Sequence, residues 1–262
     1  MREELKRALR APQIWASFAV CMFTLMGYSL ASWIGSMEEW PEYRESALHL
    51  SLGGIFFGGF MMLLPFCAAL AHATSQVDDL SSGMVRWAAL RGSVHRYASV
   101  KVGVSMLAAA AASASAFALH AVIWNMVALP NDPFVYESHI IYFWEESYFY
   151  QWYTICHGLP LYIEITVGIA FTASVWAVVA LAIAIWAPDK LMTVTIPSFL
   201  YYLWNADVTY WLFGIHALHP AALFNDGLNA ERAIVSIVSY MTVLVVSLVC
   251  YIAGCQRRCR YV

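Results

Sequence analysis

Long apolar runs separated by short charged stretches set the pattern of this chain. Six of these runs read as membrane spans, over residues 14–34, 48–71, 100–127, 159–186, 191–204 and 233–254. At about 1.5 Å of rise per residue, most are long enough to cross roughly 30 Å of hydrocarbon. Helices are the elements expected, because every backbone N–H and C=O in lipid needs an internal partner. The Ala-, Leu- and Val-rich runs also lack the ten-residue alternation of a barrel. The fold expected is therefore all-α: a polytopic membrane protein of six transmembrane helices in one domain, residues 1–262.

Three segments depart from simple spans. Residues 1–13 are basic and amphipathic, stopped near Pro12, and read as an interfacial elbow with Leu5, Ala8 and Leu9 on the membrane surface. No small-residue cleavage site follows the first apolar run, which is read as a retained span. Residues 75–97 form a polar loop in which Asp78 and Asp79 suit a helix N-terminus, Arg86 and Arg91 suit its later turns, and Gly92 suits its end. Residues 205–231 are apolar but interrupted by Gly214, Pro220 and Gly227, and follow a fifth run short for a span. A re-entrant outer segment before the last span accounts for both features.

Composition agrees: 61% of the residues are hydrophobic and only 12% charged, against about a quarter charged in a soluble domain. Twelve of the 14 Lys and Arg fall on one side of the predicted topology, with only Arg44 and Arg232 on the other. The positive-inside rule then places both termini in the cytoplasm. Those cations are the ones topology requires, so no nucleic-acid surface is indicated. Of the six cysteines, three lie in apolar runs and Cys255 and Cys259 in a basic tail, so free thiols are expected. CQRRC lacks the companion ligands of a metal site.

No Gly is followed by Lys anywhere, which excludes a P-loop within this chain. H-E-x-x-H, G-x-S-x-G and CxxC are also missing, so no catalytic residue, metal or cofactor is assigned to this chain. His72, His120 and His157 remain open as axial haem ligands, with a hydrogen-bonded core histidine as the alternative for each. Glu164 is the one carboxylate inside an apolar run. With His120, Asn125 and Tyr162 it forms a candidate cavity wall, unless it reaches the interface or is protonated. Half of the residues from 134 to 153 are aromatic. This outer loop, 130–156, reads as an aromatic belt, as a lid for a lipid-like or peptide cargo, or as both. The run AAAAASASA (108–116) permits close helix packing.

The stretch LLPFCAALAHATSQVDDLSSGMVRWAALRGSVHRYASVKVGVSMLAA resembles the permease subunits of type-2 ATP-binding-cassette (ABC) transporters. The matching positions are Pro65, Asp78 or Asp79, Ser82 with Gly83, Arg86 with Arg91, and Tyr97 with Lys101. Pro188, Lys190 and LHPAALFND fit further on, whereas CQRRC and the aromatic loop match nothing in the pattern. The resemblance implies that residues 78–91 couple to a separate ATPase through Asp78, Asp79, Ser82, Gly83, Arg86 and Arg91. It also implies two ATPase copies that bind ATP and Mg, a second permease chain, identical or homologous, and a bacterial inner membrane. A hydrophobic or amphipathic cargo, such as a peptide, antibiotic or lipid-like molecule, would be exported. Two other readings stay open: a haem- or quinone-binding redox subunit, and a non-transporting immunity or partner protein.

Overall fold

A computed structural model describes residues 2–39, 46–56, 58–85, 87, 93–128, 159–205 and 230–260. The helices are α1 (Arg2–Arg10), α2 (Pro12–Glu39), α3 (Ala47–Phe56), α4 (Phe60–Ala68), α5 (Ser75–Ser81), α6 (Val94–Val127), α7 (Leu159–Trp186), α8 (Lys190–Leu203) and α9 (Ala230–Arg260). The described residues are all-helical apart from short turns. The outer aromatic loop 130–156, nearly all of the predicted re-entrant segment 205–231, and Arg86 and Arg91 lie outside them.

Four helices, α2, α6, α7 and α9, are each long and apolar enough to cross a membrane, and α3 with α4 supply a fifth crossing if taken as one bent span. Among the described residues the fifth predicted run, 191–204, forms α8, whose 14 residues rise about 21 Å, short of the hydrocarbon thickness. It starts abruptly because Asp189 caps it, its carboxylate accepting from Met192 N at 2.8 Å.

The second predicted span is broken. α3 and α4 meet at 61° across Gly58 and Gly59, and Gly59 takes the left-handed φ of 71° that a side chain resists. The α3 glycines pack directly on α2: a Cβ at Gly53 would meet the Tyr28 ring at 2.7 Å and one at Gly54 the Leu25 carbonyl at 3.0 Å. Past the break the backbone runs from α4 through a π turn at Ala69–Ala73 into α5. α5 thus begins at Ser75, with Asp78 in its first turn, and ends at Ser81; Gly83 takes a φ of 70°, residues 84, 85 and 87 are helical again, and Gly92 lies outside the described residues.

α7 is the hub. Its most apolar window is 67% buried, against 28% for α2 and 22% for α9. α6 approaches closely through a small-residue stripe in which Ala108, Ala112 and Ala116 face inward while Ala111 and Ser115 face out. CQRRC turns out to be a clasp between α9 and α7. Arg257 lies over the Trp186 ring at 5.5 Å, Arg258 donates to the Ile185 carbonyl at 3.3 Å, and Cys255 is buried. Five cysteines, Cys21, Cys67, Cys250, Cys255 and Cys259, are free. Among the described residues no group of His, Cys, Asp and Glu is arranged to hold a metal.

Candidate functional site

α1 has charged residues on one side and Leu5 and Ala8 on the other, and the apolar side packs into the core. Two of its charges point inward as well, and they meet the one cation deep in the apolar bundle. The Lys101 ammonium, 1% exposed, donates to Glu4 at 2.7 Å and to Asp79 at 2.6 Å. Arg7 reaches Asp79 Oδ1 at 2.6 Å, and the Tyr97 hydroxyl lies 3.0 Å from Asp79 Oδ2. His72 Nε2 sits 3.2 Å from Glu4. A junction of two carboxylates and two cations thus joins α1, the π turn, α5 and α6.

Such a cluster is tolerable only because each charge has a partner; one alone in this setting would cost several kcal/mol. Beside it, Gln76 lies 3.1 Å from the Tyr97 hydroxyl and 2.8 Å from that of Tyr251 on α9. The single Tyr97 proton goes to the anionic Asp79. Rotating the Gln76 amide by 180° lets its NH2 serve both tyrosine oxygens and leaves the amide oxygen, in place of the nitrogen, at the unpaired buried position.

His72 and, more weakly, Lys101 hold the Glu4 carboxyl down at about 2, against the opposing effect of burial. Burial disfavours the charged Arg7 guanidinium, but Asp79 and Glu4 outweigh it and raise its pKa. A depressed folded pKa stabilises the fold above the unfolded value of 4.5 and loses that contribution as pH falls towards about 2. The stability difference between wild type and Glu4→Gln in detergent is therefore expected to be constant at neutral pH and to shrink below about 4.5. Melting curves across that range check it; a constant gap would refute the assignment.

Of the residues expected to couple, Asp79 is buried in the junction. Asp78 faces outward and pairs with Lys190 at 2.7 Å. The Ser82 hydroxyl closes the last turn on the Asp78 carbonyl at 2.8 Å, and Gly83 turns the chain. Beyond it Met84 and Trp87 are 50% and 62% exposed, beside a cavity of about 240 Å³ lined in part by Gly83, Val85, Pro188 and Arg258. No atom lies within 4 Å of a Cβ built on Gly83, so Gly83→Val costs only backbone strain, about 1–2 kcal/mol. A thermal shift matching that modest loss, with the expression level kept, is the expected result. Glu4, Arg7, Gln76 and Tyr251 are functional candidates that sequence reasoning missed, and His72 was singled out there without its partner Glu4. The available signal was Tyr97 and Lys101 at i, i+4 on one helix face.

At the opposite end of the bundle, two of the four predicted cavity residues come together. Asn125 donates to the Tyr162 hydroxyl at 3.1 Å and to the Ala121 carbonyl at 2.8 Å. Both line an apolar groove of about 620 Å³ between α6 and α7, with Val122, Met126, Ile163 and Val167. His120 lies elsewhere, fully buried, its Nε2 accepting from Trp124 Nε1 at 3.0 Å with Ser29 Oγ also at 3.0 Å. This makes it a strut between α6 and α2, with its Nδ1 buried and unpaired; His157 lies outside the described residues. Glu164 is half-buried on α7 with one oxygen buried and unpaired, and does not line the groove. Compared with protein-family models, with curated proteins and with solved structures, the chain matches none.

Proposed function

We propose that this chain is the membrane-spanning permease subunit of an ABC transporter, exporting a hydrophobic or amphipathic cargo with energy from a separate ATPase. The observation that carries the reading is the junction itself. Helix α5, which leads through the Gly83 turn into a segment exposed at Met84 and Trp87, is ion-paired through Asp79 to both α1 and the long helix α6. A partner pushing on the loop would therefore move α6 directly, which is what coupling requires. The sequence holds no P-loop of its own, so ATP and Mg belong to that partner. In this reading two ATPase copies and a second permease chain complete the transporter, the junction end and both termini face the cytoplasm of a bacterial inner membrane, and the groove at Asn125 and Tyr162 contacts cargo.

The test is purification of the tagged chain from its native membrane in mild detergent. A P-loop ATPase in near-equal amount, lost on Trp87→Ala with Met84→Asp in a chain that still folds, supports the reading. A chain that purifies alone overturns it.

A further inference from the structure

The junction assigns a specific role to α1 that an elbow floating on the membrane surface would not have. We propose that Lys101 is a positioning residue that binds α1, α5 and the base of α6 into one rigid body, with α1 as a brace for the loop that ends at Gly83. The consequence for coupling rests on the permease reading; the mechanical claim does not.

The geometry supports it in three ways. One ammonium is shared by carboxylates from two segments, Glu4 on α1 and Asp79 on α5, at 2.7 and 2.6 Å. Arg7 closes a second tie between the same segments at 2.6 Å, so α1 cannot shift along its axis without breaking ties at both Glu4 and Arg7, one turn apart. The ties converge on Lys101 and Asp79, each 1% exposed, with the Arg7 side chain at the edge, 39% exposed. A charge pair there is far less screened than one on a surface. Leu5 and Ala8 add apolar contacts between α1 and the core, and the experiment separates these from the ionic ties.

The experiment is amide hydrogen exchange on the purified full-length chain in detergent, comparing wild type with Lys101→Met, Lys101→Arg and Glu4→Gln. The expected result is that α1 amides exchange roughly tenfold faster or more in Lys101→Met, return towards wild type in Lys101→Arg, and change in between in Glu4→Gln. α7 amides should stay protected throughout, showing that the bundle is intact. Unchanged α1 exchange in Lys101→Met overturns the brace. If Lys101→Met also loosens α7, then Glu4→Gln, which leaves the ammonium paired with Asp79, decides, and unchanged α1 exchange there overturns it equally. Where an ATPase co-purifies, Lys101→Met is expected to keep it bound but lose cargo-dependent hydrolysis, with recovery in Lys101→Arg. Full coupling in a chain whose α1 is loosened refutes the mechanical consequence. Failure of any ATPase to co-purify with wild type refutes the permease reading alone.

Discussion

Asp79→Ala is expected to destabilise the protein by about 3–5 kcal/mol, whereas Asp78→Ala, one position away, is expected to cost less than about 1 kcal/mol. Asp79 is the shared acceptor for Lys101, Arg7 and Tyr97. Removing it leaves two cations with only the Glu4 carboxylate between them, and the ammonium of Lys101 cannot recover water because it is 1% exposed. Asp78 meets Lys190 where the two side chains are 44% and 58% exposed, so water replaces whatever the pair contributes. Asp79→Asn keeps the shape but halves the compensation of charge, and should fall between the two. Thermal or denaturant unfolding in detergent checks the order. Equal losses for the two aspartates would show that the junction carries little energy.

Trp124→Ala is the second large effect, about 3–5 kcal/mol. The indole is 2% exposed, packs with Ala47 and Leu50, and stands edge-on to Trp33 at 5.9 Å. It is what holds the half-helix α3 against α2 and α6. Trp124→Phe separates packing from bonding, because it keeps most of the ring but leaves the buried His120 Nε2 without its N–H donor, a loss of about 1–3 kcal/mol. A Phe variant as damaged as the Ala variant would mean that the hydrogen bond outweighs the cavity. An undamaged Ala variant would mean that α3 is held by something else.

Glycine spacing near α3 illustrates where reading the chain falls short. SLGGIFFGGF is visible as an interruption in an apolar run, yet the close approach of its first glycine pair to the Tyr28 ring and the Leu25 carbonyl belongs to the packing against another helix. In the loop after this segment Asp78 lies in the first turn of α5, as local charge preference favours, but Asp79 is turned inward to Lys101 and Arg7, partners that the local pattern does not name. Of the cavity residues, Asn125 and Tyr162 meet across a groove while His120 is turned away by Trp124. Neighbouring positions on one helix thus face different partners.

Sequence by itself determined the helical class and the identity of α2, α6, α7 and α9, because the length of an apolar run and the lack of alternation are local properties that lipid or core must satisfy in one way. Tertiary structure alone decided what the few charges do. Lys101 counts along the chain only as one more cation at the end of a span. Its partner Glu4 lies 97 positions away, and pairing at that separation follows from how the helices pack, which no local pattern encodes. A buried charge must find its opposite wherever the fold brings one, and here the fold brought the N-terminal helix.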